Sequence, residues 1–144
     1  MRLNLNWQKI LHGTFAPGLH NALGMMAGAD REDIRSTSLL DGMDVDTYRK
    51  KFATLVADLT AEDEILLFAD IIGGSPLTTA MEVLTERNLM QNTVAIGGMS
   101  LPLVLTAAFS DADASLREVA DEVMEEGRSQ IKAFRLDGEE DDDI

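Results

Sequence analysis

Short apolar runs alternate along the chain with longer stretches in which apolar residues recur three and four positions apart. Glu64 to Ala69 (EILLFA) and Thr93 to Ile96 (TVAI) are continuous runs, closed by Asp70 with Gly73-Gly74 and by Gly97-Gly98. Runs of this kind are the mark of parallel strands covered on both faces. Leu3 to Leu11 predicts a first extended segment, carried by Leu3, Leu5, Ile10 and Leu11, although Trp7-Gln8-Lys9 is polar for the centre of a parallel sheet. Arg35 to Leu39 predicts a second strand.

Helical spacing fills the intervals. Pro17 to Met26 places Leu19, Ala22, Leu23 and Met26 on one face, and Asp46 to Leu59 does the same with Tyr48, Phe52, Leu55, Val56 and Leu59. Ser75-Pro76 opens a helix to about Thr85, with Ser75 as N-cap and Pro76 at the first helical position, where a missing N–H leaves nothing unpaired. Ser100-Leu101-Pro102 opens another to about Phe109. Ser115 to Gln130 turns Leu116, Val119, Ala120, Val123 and Met124 inward, and Ile131 to Leu136 alternates as a final strand would. Strands alternating with helices predict an α/β fold, doubly wound, with a mostly parallel sheet flanked by helices.

Composition narrows the picture. At 144 residues the chain has the size of one domain. We read residues 1–136 as that domain and residues 137–144, Gly138-Glu139-Glu140-Asp141-Asp142-Asp143-Ile144 at their core, as a solvated acidic tail. The formal net charge of −14 argues against nucleic acid or an anionic membrane as partner and favours a basic one. The absence of cysteine excludes disulfides, thiolate metal sites and a cysteine nucleophile. No apolar run approaches the ~20 residues that span a bilayer, and the N-terminus lacks the apolar core of a signal peptide, so a cytoplasmic location is expected.

Three segments that carry chemistry each follow a predicted strand: His12-Gly13, then Asp70-Ile71-Ile72-Gly73-Gly74-Ser75-Pro76, then Gly97-Gly98-Met99-Ser100-Leu101-Pro102. In an open parallel sheet the C-terminal strand ends share one edge, and ligands bind there at the switch point. Neutral imidazole is a competent nucleophile near pH 7. A carboxylate bonded to one ring nitrogen fixes the tautomer, frees the other nitrogen and stabilises the charge that develops. A phosphoryl group needs donors, which a glycine-rich turn at a helix N-terminus supplies. His20, in the middle of a helix with no partner motif, reads as a surface or packing residue, and the eight methionines read as core filling.

At these residues the chain resembles a known family. His12-Gly13-Thr14-Phe15-Ala16-Pro17-Gly18-Leu19 resembles the active-site segment of mannose-type enzyme IIA proteins of the bacterial sugar phosphotransferase system. Phe68 to Pro76 resembles that family's Asp-x-x-Gly-Gly-Ser-Pro segment, and Gly98 to Val104 its third motif, in the same order and spacing. The resemblance covers about Leu3 to Leu136. It implies a doubly wound domain, usually a homodimer whose antiparallel last strand crosses to the partner's sheet. It implies a histidine that accepts a phosphoryl group from phospho-HPr and donates it to enzyme IIB, which phosphorylates a sugar arriving through membrane permease subunits. Carried over, His12 is the phosphoacceptor and Asp70 its orienting carboxylate. Gly13, Gly73, Gly74 and Ser75 cradle the phosphate, and Phe15, Ile72, Met99 and Ser100 line the site or meet a partner. Neither a metal nor another cofactor is implied.

The chain departs from the family at Leu11, usually Ser or Thr, at Ser100, usually Asn, and in its polar first strand. Enzyme IIB is expected on a separate polypeptide. Two other readings keep the same scaffold: a phosphocarrier serving a dihydroxyacetone kinase, and a regulatory or binding module that has lost the relay. A receiver-like domain phosphorylated on Asp70 would want an acidic pair after the first strand, where Leu11-His12-Gly13 stands. A hydrolase would want a G-x-S-x-G elbow or a metal-ligand cluster.

Overall fold

A computed structural model describes residues 7–40, 42–72, 74–110 and 113–136, the side chains of Trp7 and Ser75 excepted. Residues 3–6 of the expected first strand, the acidic tail and Gly73 lie outside the described residues.

The chain runs β1 (Trp7–His12), α1 (Ala16–Ala27), β2 (Ile34–Thr37), α2 (Val45–Leu55), β3 (Glu64–Ala69), α3 (Ser75–Glu86), β4 (Thr93–Ile96), α4 (Leu101–Ala108) and α5 (Leu116–Ser129), with a 3₁₀ turn at Met90–Asn92 before β4. The four strands form one sheet in the order β2-β1-β3-β4. All pairings are parallel, with His12 opposite both Thr37 and Ala69, and Phe68 opposite Ile96. The expected doubly wound α/β fold is therefore present. From β1 the chain steps to one side, and from β2 it crosses to the other, so the switch point lies between β1 and β3.

Alternation along the strands builds two cores. Leu11, Leu66, Phe68 and Ile96 face α1, α4 and α5. Ile10, Ile65, Leu67 and Ala69 face Phe52, Val56, Leu77, Ala80 and Leu84 of α2 and α3 and the turn between α2 and β3. Burying each large side chain contributes roughly 1.5–3 kcal/mol, which the cost of ordering the chain largely offsets. α5 shows how local signals cooperate. Ser115 and Glu118 form a reciprocal capping box, and Val119, Ala120, Val123 and Gly127 are buried. A Cβ at Gly127 would stand 2.8 Å from Leu103, so the glycine allows α4 and α5 to approach closely.

The polar centre of β1 is satisfied rather than avoided. Lys9, 3% exposed, sits 2.6 Å from the Asp33 carboxylate, which also receives a two-pronged contact from Arg31. Buried Gln8 accepts from Arg35, whose guanidinium also reaches Asp58 and the Leu55 carbonyl. Burial alone would push the Asp33 carboxyl up, but hydrogen bonds from Arg31 and Lys9 hold it far below the usual carboxylate range. Gln8, Arg31, Asp33, Arg35 and Asp58 line an open cavity of about 870 Å³ at the N-terminal end of the sheet.

Two expectations are corrected. Residues 131–136 form no strand. A strand exists through its ladder, and this segment has no ladder partner within the described chain, leaving Ile131, Phe134 and Leu136 at 85%, 84% and 86% exposure. Ser75 is the first helical residue of α3 rather than its cap. Gly74 takes the extended N-cap conformation, with φ −81° and ψ 165°.

Candidate functional site

His12 ends β1 on the face covered by α2. Its side chain is fully buried. Nδ1 lies 2.8 Å from the hydroxyl oxygen of Tyr48, while Nε2 is the only buried side-chain nitrogen or oxygen without a hydrogen-bond partner among the described residues. Phe52, one turn beyond Tyr48, meets the imidazole edge-on at a centroid distance of 6.1 Å. Burial lowers the imidazole pKa to about 4, against an opposing pull from the negative charge of Asp70. The ring is thus neutral near pH 7 and keeps one nitrogen lone pair.

Register brings Asp70 to this site. Because His12 pairs with Ala69, the next residues, Gly13 and Asp70, sit side by side. A Cβ at Gly13 would fall 2.6 Å from the Asp70 carboxylate, and Gly13 also has φ +127°, so only glycine fits without strain. The carboxylate accepts from the backbone N–H of Thr14 at 3.1 Å and of Ile71 at 2.9 Å. The expected hydrogen bond, in which Asp70 accepts from a ring nitrogen, is absent among the described residues. The backbone amides claim the carboxylate oxygens, Tyr48 occupies Nδ1, and Asp70 acts on the ring through its charge.

The third segment closes the edge. Met99 N–H donates to the Ala69 carbonyl at 2.9 Å, and a Cβ at Gly97 would strike the Ile72 backbone at 2.8 Å. Met99 itself is 4% exposed and belongs to the core, so it does not line an open site as expected. The turn after β4 brings the chain back over the sheet and carries Met99 inward. The Ser100 hydroxyl accepts from Leu103 N–H as the cap of α4. Phe15, Ile71 and Ile72 are 48%, 61% and 72% exposed, forming an apolar rim.

Four helices begin at this edge, and their N-termini differ. Side chains of Asp44 and Ser100 cap α2 and α4, whereas α1 and α3 have no side-chain cap; proline stands in the first turn of α1, α3 and α4 alike. The two uncapped starts follow His12 and Asp70. Free N–H groups and the positive end of the helix dipole suit an anion there. A neutral imidazole with one uncommitted nitrogen, beside a fixed carboxylate and two such helix starts, has the chemistry of a nucleophile toward an anionic group.

Comparison with known proteins agrees with the scaffold. Residues 10–124 match the EIIA-man family, described as the PTS system fructose IIA component. The chain belongs to this family. Escherichia coli K12 has a relative named PTS system mannose-specific EIIAB component, 27% identical over 125 residues, which cover 86% of this chain and 38% of the relative. A Bacillus subtilis relative named PTS system fructose-specific EIIA component is 28% identical over 94 residues, 65% of this chain and 62% of that one. The chain therefore spans well under half of the first relative and less than two thirds of the second. Among solved structures, the phosphotransferase system component EIIA from Streptococcus agalactiae superposes with a TM-score of 0.76 at 21% identity, covering 88% of this chain and 96% of that one. The mannose/sorbose-specific IIA subunit from Enterococcus faecalis gives 0.72 at 22% identity, with 90% and 95% covered. At such identities these structures speak to the fold. His12, Gly13 and Asp70 thus stand together at the switch point of an EIIA-man fold, and no helix of the described residues is long and apolar enough to cross a membrane.

Sequence reasoning missed Tyr48, which it placed only on the inward face of a helix. A signal existed: an inward-facing tyrosine carries a hydroxyl that must find a partner.

Proposed function

We propose that this protein is a phosphoryl carrier of a sugar phosphotransferase system, accepting a phosphoryl group from phospho-HPr on His12 and passing it to an enzyme IIB. The observation that carries the reading is the buried, neutral His12 with Nε2 uncommitted, at the switch point of an EIIA-man fold. The lone pair on Nε2 attacks phosphorus as the bond to the donor's histidine breaks. The Asp70 charge offsets the positive charge that builds on the ring. Gly13, Gly74, Ser75 and the free amides at the starts of α1 and α3 receive the phosphoryl oxygens. Gly73 belongs to the same turn by sequence. Because Nε2 is covered in the free chain, transfer includes a step that uncovers it.

Phe15 and Ile72, with Ile71 beside them, offer the partner proteins an apolar rim around the histidine. Ser100 serves the site indirectly by starting α4 beneath it. The short edge strand β4 and the exposed alternating segment 131–136 support a homodimer in which that segment pairs with another copy. The charge of −14 fits a cytoplasmic carrier that meets basic partners and reaches membrane permease subunits only through enzyme IIB.

The test is intact-mass measurement after incubation with phosphoenolpyruvate, enzyme I and HPr. Wild type should gain one acid-labile phosphoryl group and His12→Ala none. An unmodified wild type with authentic partners present would refute the reading and favour a binding module on the same fold.

A further inference from the structure

We propose that Tyr48 is the positioning residue of the site: its hydroxyl holds the imidazole of His12 in the tautomer that leaves Nε2 as the nucleophile. The kinetic consequence rests on the phosphocarrier reading, whereas the tautomer itself is a property of the free protein.

Tyr48 is held firmly enough for the task. It is the fourth residue of α2, whose first turn is fixed by the Asp44 carboxylate accepting from Thr47 N–H at 2.7 Å. The side chain is 1% exposed, and its hydroxyl lies 2.8 Å from Nδ1. Phe52 stands one turn later on the same face, so a single rigid helix supplies both the hydrogen bond to the ring and the aromatic edge against it. Burial, and then the charge of Asp70, pushes the phenol pKa far above its ordinary value. The hydroxyl stays protonated and neutral throughout the working pH range.

A neutral phenol can donate or accept, so the hydrogen bond alone leaves two arrangements. In one, Tyr48 donates to Nδ1 and Nε2 carries the ring proton. That N–H would be buried with nothing to receive it, and orphaned buried N–H groups are rare because they forfeit a hydrogen bond made in water. In the other, Nδ1–H donates to the Tyr48 oxygen and Nε2 presents a lone pair. Only this arrangement supplies a nucleophile. Asp70 makes no hydrogen bond to Nδ1, which pairs with the Tyr48 hydroxyl, while the carboxylate accepts from Thr14 and Ile71 N–H. The two groups thus divide one job: Tyr48 sets the proton, and Asp70 supplies the compensating charge.

The step balances without an added reagent. The Nε2 lone pair forms the new N–P bond. The N–P bond of the phosphorylated donor histidine breaks, and its electron pair returns to the donor imidazole. The proton on Nδ1 stays in the hydrogen bond to Tyr48, and the return transfer reverses each movement.

Long-range ¹H–¹⁵N correlation on histidine-labelled protein at pH 7 reads the tautomer directly, with His20 as the internal comparison. Wild type should show His12 with Nδ1 protonated. Tyr48→Phe, which keeps the ring and removes the hydroxyl, should shift His12 toward the other tautomer. It should also slow phosphoryl uptake from phospho-HPr by about 10- to 100-fold in maximal rate, the scale of losing an orienting hydrogen bond, with little change in the donor concentration for half-maximal rate. A wild type with Nε2 protonated overturns the proposal, whether or not the variant folds. So does a Tyr48→Phe protein with unchanged tautomer and rate. A wild type that shows the Tyr48-dependent tautomer but takes up no phosphoryl group upholds the positioning role and refutes the phosphocarrier reading alone.

Discussion

The two ends of the parallel sheet both bury polar side chains of the same strand, yet they treat them in opposite ways. At the N-terminal end, Gln8 and Lys9 are 5% and 3% exposed, and each is tied into a network: Lys9 to Asp33 and Arg31, Gln8 to Arg35 and Asp58. At the C-terminal end, His12 is 0% exposed and has one nitrogen bonded and one left without a partner. An open cavity of about 870 Å³ lies at the saturated end. An unsatisfied buried nitrogen costs on the order of 1–3 kcal/mol, and a fold that satisfies the other buried side-chain polar atoms among its described residues keeps that cost where an uncommitted lone pair is of use.

The largest effect that can test this contrast is on transfer. His12→Gln keeps a buried polar group but removes the nucleophile, so phosphoryl uptake should fall to background while the far-ultraviolet spectrum stays unchanged. Next comes acid sensitivity. Burial holds the folded His12 pKa at about 4, below the unfolded value of 6.5. The unfolded chain then binds the proton first, so the stability associated with neutral His12 is complete above about pH 6.5 and is lost as pH falls toward 4. The loss is about 3 kcal/mol at most. Denaturant unfolding at both pH values should show it in wild type and show less of it in His12→Gln. The network around Asp33 acts in a separate window, below the ordinary carboxylate range, because its folded pKa is depressed.

At the opposite end, Asp33→Ala removes the carboxylate that lies 2.6 Å from the Lys9 ammonium. Partial exposure and the other contacts of Lys9 reduce the expected cost to about 2 kcal/mol, below the ~3–5 of a fully buried pair. Phosphoryl uptake by the folded variant should match wild type, and a matched fall in rate would erase the distinction between the two ends. The smallest effect belongs to Asp70→Asn. It keeps acceptor geometry for one backbone amide and removes the charge, so uptake should slow about tenfold, the equivalent of one pKa unit of lost charge stabilisation.

How much of this was legible in the sequence varied with the range of the interactions involved. Glu64–Ala69 and Thr93–Ile96 were readable to the residue because each is a short run, apolar after its first residue and closed by turn residues. The first strand was obscured because the partners of Lys9 and Gln8, Asp33 and Arg35, lie 24 and 27 positions away and bind them only after β2 has docked. Leu11, a departure from the family pattern, faces the core of α1, α4 and α5 rather than the α2 face that holds His12. The convergence of His12 and Asp70 followed from topology, since strand ends of a parallel sheet share an edge. Which group would bond the imidazole did not follow. That depends on the register that gives Asp70 two backbone amides, and on an α2 position where the sequence displays only helical spacing. The alternation of 131–136 was visible, but a ladder needs a partner that local pattern does not contain.

The most direct measurement is the position of the phosphoryl group itself. Protein labelled with ¹⁵N-histidine and phosphorylated through enzyme I and HPr should show one-bond phosphorus–nitrogen coupling to Nε2 of His12, the nitrogen left uncommitted in the free chain. Coupling to Nδ1, or to either nitrogen of His20, would contradict the account.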